Sequence, residues 1–285
     1  MSGQGALGPF LERLVEQYGR PELLPGDPLA VVHRFSDPLD QEVAAVLAAG
    51  LAYGRVEQIL ASVGSALQRM GRPHAFVRGF EPRRDARVFD GWVHRFNRGR
   101  DLALLCLGLR QIYEAWGSLG AFFSSRMEPA DPHVGPALTR YTRDFLSLDF
   151  RPLAPGSLAA GEGVRWFFAS PADGSACKRL NLQLRWMVRR DGLDLGLWRD
   201  VSPAHLVMPL DTHVARICTY LGLTQRRTQG WAMAQEITEG LRAFSPDDPV
   251  RYDWAICRLG ILNHCPRRRD PTRCAGCTLL PVCRA

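Results

Sequence analysis

The chain has 285 residues, 46% of them hydrophobic, and its 36 Lys and Arg against 29 Asp and Glu give a formal net charge of +7. That length supports one large core or two smaller lobes, and the positive balance suits a polyanionic partner. No run of about 18 apolar residues is free of charge, which argues against a membrane span; the start MSGQGALGPFLERLVEQYGR lacks the basic region of a secretory signal, so a cytoplasmic protein with reduced cysteines is expected.

Helical periodicity begins at once. Phe10, Leu11, Leu14 and Val15 set a first amphipathic helix, and Val43, Val46, Leu47, Leu51 and Ile59 set a pair interrupted at Gly50 and Gly54. EPRRDAR reads as a loop. Leu102, Leu104, Leu105, Leu107, Leu109 and Ile112 are apolar on most sides, as in a central buried helix. RMEPADPHVGP and the Pro/Gly-rich run from Arg151 to Gly163 read as surface loops. A helix capped by Ser175 or Asp173 then runs to about Arg190. Val214, Ile217, Cys218 and Leu221 fall at i, i+3, i+4 and i+7, with Gly222 as a stop. Trp231 to Phe244 and Pro249 to Leu262 give two more helices, the second opened by the capping oxygens and negative charge of SPDD. Extended alternation is scarce, and the fold class is all-α.

One residue breaks the composition. Lys178, in GSACKRLNLQLRWMVRR, is the only lysine beside 35 arginines. Arginine replaces lysine wherever a solvated cation suffices, but only an amine loses its proton at accessible pH and attacks carbon. The first turn of a helix disfavours a cation, and neighbouring Arg179 adds to that effect, so the nucleophilic amine is favoured there. The bland alternative is a lysine surviving by chance on an exposed helix.

Four of the eight cysteines crowd the end of the chain as Cys265-x8-Cys274-x2-Cys277-x5-Cys283. Four soft donors within nineteen residues of an intracellular chain suggest a metal centre. Zinc ribbons pair two CxxC knuckles, whereas the single CxxC followed by x5 favours a 4Fe-4S cluster; zinc and unligated thiols remain the alternatives. Cys106, Cys218 and Cys257 lie in helical patterns and read as core.

CPRRRDPTRCAGCTLLPVC, following YDWAICRLGILNH, resembles the iron–sulfur loop of the endonuclease III and adenine-mismatch glycosylase group, with a longer first interval. VMPLDTHVARICTYLGL resembles the catalytic VDTHV-R block of the helix-hairpin-helix DNA glycosylase superfamily. The resemblance implies that Asp211 is the carboxylate near the sugar of an extruded nucleotide; locally it also makes a helix N-cap. Bifunctional members attack that sugar with a lysine about twenty residues before the Asp, after an LPGVG-type hairpin. Here LPGVG is missing and Lys178 precedes Asp211 by 33 residues. That longer interval is similar to the archaeal 8-oxoguanine glycosylase. DQEVAAVLAAGLAYGRVEQI, FNRGRDLALLCLGL and MPLDTHV resemble a bacterial family related to that enzyme, over roughly residues 30 to 285.

The resemblance implies a two-lobed helix-hairpin-helix glycosylase-like fold. Residues 31–224 would carry an atypical hairpin with Lys178 and Asp211, and residues 1–30 plus 225–285 a second lobe with the four-cysteine loop at 265–283. It further implies a monomeric bifunctional glycosylase and AP lyase of the bacterial cytoplasm, acting on damaged double-stranded DNA. Its base would be 8-oxoguanine, with another damaged base (an oxidised pyrimidine or an alkylated purine), or a non-catalytic nucleic-acid-binding iron–sulfur protein, as alternatives. Trp186, Trp198, Phe167 and Phe168 are candidate walls for a flipped base, although aromatics at helical spacing usually belong to the core. Arg267, Arg268, Arg269 and Arg273 in the cysteine loop are candidate phosphate contacts, and Tyr53 and Arg55 candidate wedge residues.

Overall fold

A computed structural model describes residues 7–156, 158, 162–262 and 264–285. The first six positions of the expected second lobe and positions 157 and 159–161 of the expected Arg151–Gly163 loop lie outside the described residues. In chain order the helices are α1 (Gly8–Tyr18), α2 (Leu29–Val32), α3 (Pro38–Gly50), α4 (Val56–Met70), α5 (Pro73–Arg78) and α6 (Pro82–Asp85). A small hairpin, β1 (Val93–His94) and β2 (Asn97–Arg98), leads into α7 (Gly99–Trp116), α8 (Leu119–Ser124) and α9 (Val134–Leu146). There follow α10 (Lys178–Val188), α11 (Thr212–Tyr220), α12 (Trp231–Arg242), α13 (Asp253–Ile261) and α14 (Pro271–Cys274). The all-α expectation holds among the described residues, and no described helix is long and apolar enough to cross a membrane.

Local chemistry explains most boundaries. Asp37 opens α3 by accepting from Leu39 N and Asp40 N at 2.8 and 3.2 Å, and Pro38 supplies a preset first-turn φ. Gly222, at φ +72°, follows the end of α11. EPRRDAR is helical rather than a loop: Pro82 starts α6, and the Asp85 carboxylate folds back to accept from Glu81 N at 2.8 Å. SPDD does not open α13. That helix begins at Asp253 with no side-chain cap, because Asp248 is drawn away to accept from Arg189 Nε at 2.9 Å. A charge-assisted bond to a buried guanidinium outweighs a local cap.

Helix α10 packs on α3, while α11 and α1 both pack on α13. The α1–α13 seam is polar at its ends: Trp254 Nε1 donates to Tyr18 O at 2.7 Å and Tyr252 Oη to Glu12 Oε1 at 2.7 Å. Buried apolar side chains from Leu7 to Leu279 join in one cluster, and the boundary expected at residue 31 falls inside α2, which packs on α3. Beneath α8 lies a buried carboxylate, Glu42, accepting from Leu119 N and Gly120 N at 3.0 Å each, from Trp198 Nε1 at 2.7 Å and from Tyr113 Oη at 3.2 Å. Two of those donors are N–H groups that a helix start leaves without partners. Burial pushes the Glu42 carboxyl up, and the four donors oppose it.

Candidate active site

Two left-handed residues, Gly174 at φ +74° and Cys177 at φ +48°, bend the chain into α10. For a cysteine that conformation costs about 1–2 kcal/mol. Neighbours hold it: Ser175 Oγ accepts from Cys177 N at 3.2 Å, and Cys177 Sγ donates to Ala169 O at 3.2 Å. Ser175 therefore acts one residue ahead of the helix, and neither it nor Asp173 caps α10, which starts without a side-chain cap.

Lys178 is the first residue of α10, as expected. Its Nζ donates to Ala52 O at 3.1 Å, and Arg179 Nη1 donates to Gly50 O at 3.1 Å. Two cations thus meet the carbonyls at and just beyond the end of α3, where a helix leaves acceptors open. The field at Nζ is not that of one helix: the start of α10 repels a cation, and the end of α3 attracts one. Gly50 lets the Phe167 ring pack against the end of α3, since a Cβ would lie 2.2 Å from it.

Asp211 caps α11, its Oδ1 accepting from His213 N and Val214 N at 2.8 Å each. That leaves Oδ2, which lies 3.5 Å from the Cys257 Sγ on α13. Burial pushes the Cys257 thiol well up, Asp211 and Asp253 add to the shift, and Lys178 opposes it. Lys178 and Asp211 thus act on one sulfur from different helices. Both line a cleft of about 690 Å³ together with Ala52, Tyr53, Trp254 and Cys257, a volume suited to a small-molecule or nucleoside-sized group.

The cleft floor is ionic. Arg185 binds Asp253 and, at 3.2 Å, Asp194; Arg189 binds Asp194 and, at 2.9 Å, Asp191 and Asp248. Burial pushes the Asp253 carboxyl up to about 6 against the pull of Arg185. Trp254 carries the Arg258 guanidinium 4.1 Å from its ring centroid and that of Arg185 at 5.7 Å, and Arg258 in turn binds Asp27.

Of the residues singled out from sequence, Lys178, Asp211 and Tyr53 share the cleft. Arg55 is exposed beside it, 3.9 Å from Glu57. Phe167 flanks Lys178 in an adjoining recess of about 300 Å³. The other three aromatic candidates lie away from the cleft. Trp186 is fully buried, Trp198 holds Glu42, and the Phe168 ring stacks on Phe145 at 3.6 Å; none lines the cleft. The wall is Trp254, with Asp253, Cys257 and Arg258 on the same helix. Two i, i+4 pairs, Asp253 with Cys257 and Trp254 with Arg258, were the available signal: charge inside an otherwise apolar helix pattern.

In the terminal loop, Asp270 Oδ1 accepts from Thr272 N at 3.0 Å and Arg273 N at 2.9 Å, which starts α14 and fixes Cys274 at its end. Cys277 N donates to Cys274 O at 3.0 Å, and Arg284 N to Tyr220 O at 2.8 Å, tying the tail to α11. Cys265, Cys274, Cys277 and Cys283, all free of disulfides, line one small recess. Burial and the neighbouring thiols push Cys265 and Cys277 up. Among the described residues no three His, Cys, Asp or Glu side chains form a site for a single ion. Arg267, Arg268, Arg269 and Arg273 are all exposed, and none pairs with a described acidic group.

A family model described as Protein of unknown function (DUF2400) matches residues 27–262. No curated protein and no solved structure matches the chain.

Proposed function

The chain belongs to that DUF2400 family, and we propose that it is a bifunctional DNA glycosylase and AP lyase that removes an oxidised base through Lys178. The observation that carries this reading is the meeting of the only lysine with Asp211 in one cleft, from positions 33 residues apart in sequence. The Lys178 amine, once deprotonated, bonds to the anomeric carbon of an extruded nucleotide while the bond to the base breaks and its electron pair leaves with the base. The nitrogen loses a proton and the sugar ring opens to an imine. Removal of the C2′ proton then expels the 3′ phosphate. Asp211 has one oxygen held by two backbone N–H groups, and the other, which accepts from the Cys257 thiol at 3.5 Å, would take the lysine proton and stabilise positive charge on the sugar. A guanidinium performs none of these steps.

The base is 8-oxoguanine by resemblance, with an oxidised pyrimidine or alkylated purine as the alternatives. The DNA is double-stranded, the protein a cytoplasmic monomer, and its two-lobed helix-hairpin-helix fold carries a cluster loop. Four cysteines line one recess, and their spacing, with a single CxxC followed by x5, supports a 4Fe-4S cluster over zinc, whose ribbons pair two CxxC knuckles. Cys265, Cys274, Cys277 and Cys283 would hold that cluster, which would brace the loop bearing Arg267 to Arg273 for phosphate contact.

One observation favours a second reading, a nucleic-acid binder without chemistry. The bond from Lys178 Nζ to Ala52 O gives the lysine a purely structural task. Borohydride trapping on duplexes carrying 8-oxoguanine, an oxidised pyrimidine or an abasic site separates the two. The glycosylase reading expects a covalent adduct that both Lys178→Gln and Lys178→Arg abolish, by at least about 10³-fold. The arginine variant can still cap α3, so an adduct that persists in it would move the nucleophile away from Lys178, and no adduct in the native protein would favour the binder.

A further inference from the structure

Six large apolar side chains are exposed among the described residues, and two of them from distant segments stack on each other. Phe96 is 61% exposed and Trp166 50%, with ring centroids 5.6 Å apart and planes 19° from parallel. Toward the protein, Phe96 lies over Tyr53 at 6.3 Å and 8°. Tyr53 lines the cleft. Three near-parallel rings therefore descend from solvent to the cleft wall.

The backbone is built to hold them there. Phe96 sits in the two-residue turn between β1 and β2, where His94 pairs with Asn97. Its neighbour Arg95 adopts φ +51°, a conformation that costs a non-glycine residue about 1–2 kcal/mol. Asn97 Nδ2 donates to Gly163 O at 2.9 Å, joining the hairpin to the turn that carries Trp166. Asn97 Oδ1 accepts from Tyr53 Oη at 2.6 Å, which fixes the third ring. Cations interleave with the rings: the Arg95 guanidinium lies 5.7 Å from the Phe96 centroid and that of Arg179 5.4 Å from Tyr53. Arg55 and Arg98 are exposed nearby in sequence. The neighbouring acids are engaged, Glu162 with Arg100 at 2.7 Å and Asp101 with Arg98 N at 2.7 Å.

We propose that Phe96 and Trp166, backed by Tyr53, form a stacking ledge for an unpaired nucleobase of the strand beside the cleft, with Arg95 and Arg55 meeting its phosphates. Flat rings alternating with guanidinium groups match the chemistry of a nucleic-acid strand, whose bases offer faces and whose backbone offers anions. The inference rests on the cleft being a DNA site, yet its test needs no catalysis.

The ligand for that test is a short duplex with a non-reactive abasic analogue and 2-aminopurine opposite it, read by anisotropy and by 2-aminopurine quenching. The ledge requires that Phe96→Ala combined with Trp166→Ala lose about tenfold or more in affinity, together with the quenching, at an unchanged salt slope. Phe96→Tyr with Trp166→Phe should retain both, and Arg95→Gln should lower the salt slope by about one. Native affinity and quenching in the alanine pair would overturn the ledge. So would self-association that the pair abolishes while DNA binding stays intact, since the rings would then serve a protein contact. Quenching without any borohydride adduct would remove the lysine chemistry and keep the ledge; an adduct without quenching would do the reverse.

Discussion

The cleft and the cysteine loop hold their chemically active groups in opposite ways. In the cleft, Asp211 is tied by two backbone N–H groups, and Lys178 is tied to a carbonyl next to α3. Its floor is an ion network whose guanidinium groups are almost wholly inaccessible. The cysteine loop has a four-residue helix, a few backbone bonds and four thiols that line one small recess. Hydrogen bonds and paired charge fix the first region in place, whereas on the proposed reading the second would be completed by the cluster its thiols hold.

That contrast can be broken by substitution. Asp211→Asn keeps an oxygen for His213 N and Val214 N, so thermal unfolding should shift by less than about 0.5 kcal/mol, while base release falls by about 10²–10⁴-fold. Equal losses in stability and activity would mean that Asp211 is only a cap. Arg185→Ala strands Asp253 in the core, leaves Asp194 to Arg189 alone and should cost about 3–5 kcal/mol in denaturant unfolding; a loss under about 1 kcal/mol would show that the floor is not the rigid part. Cys277→Ser should remove absorbance near 400 nm after anaerobic reconstitution with iron and sulfide. Duplex affinity should weaken several-fold and its salt slope fall, while far-UV circular dichroism of the helical body is retained.

The smallest effect is a pH slope. The folded-state carboxyl of Asp253 titrates near 6 against an ordinary 3.8, so the folded protein holds that proton more tightly than the unfolded chain. Stability from this group is present below about 4 and declines as pH rises through about 6. Asp253→Asn should flatten unfolding free energy against pH across that window, and an unchanged slope would place the titration elsewhere.

Local pattern carried most of the helices, whereas the catalytic reading of Asp211 came from the family resemblance and that of Lys178 began from its scarcity. The break at Gly50 and Gly54, the first-turn position of Lys178 and the capping geometry of Asp211 depend on a few neighbouring residues. What sequence did not reveal depends on partners far along the chain. Asp248 caps nothing because Arg189 takes it, and Trp198 turns inward because Glu42 waits for a donor there. Trp254 became a cleft wall through contacts with Tyr18, Arg258 and Arg185. Phe96 and Trp166 meet where Asn97 and Arg100 bridge their segments. Periodicity says that a side chain is buried or exposed on a helix, but not which distant group it faces.

Lysine scarcity has a practical consequence for spectroscopy. With a single side-chain amine in the whole chain, reductive methylation with a ¹³C-labelled methyl source yields one lysine resonance, and it comes from the group bonded to Ala52 O. Its chemical shift would report, without assignment work, when that bond is released and something else enters beside it.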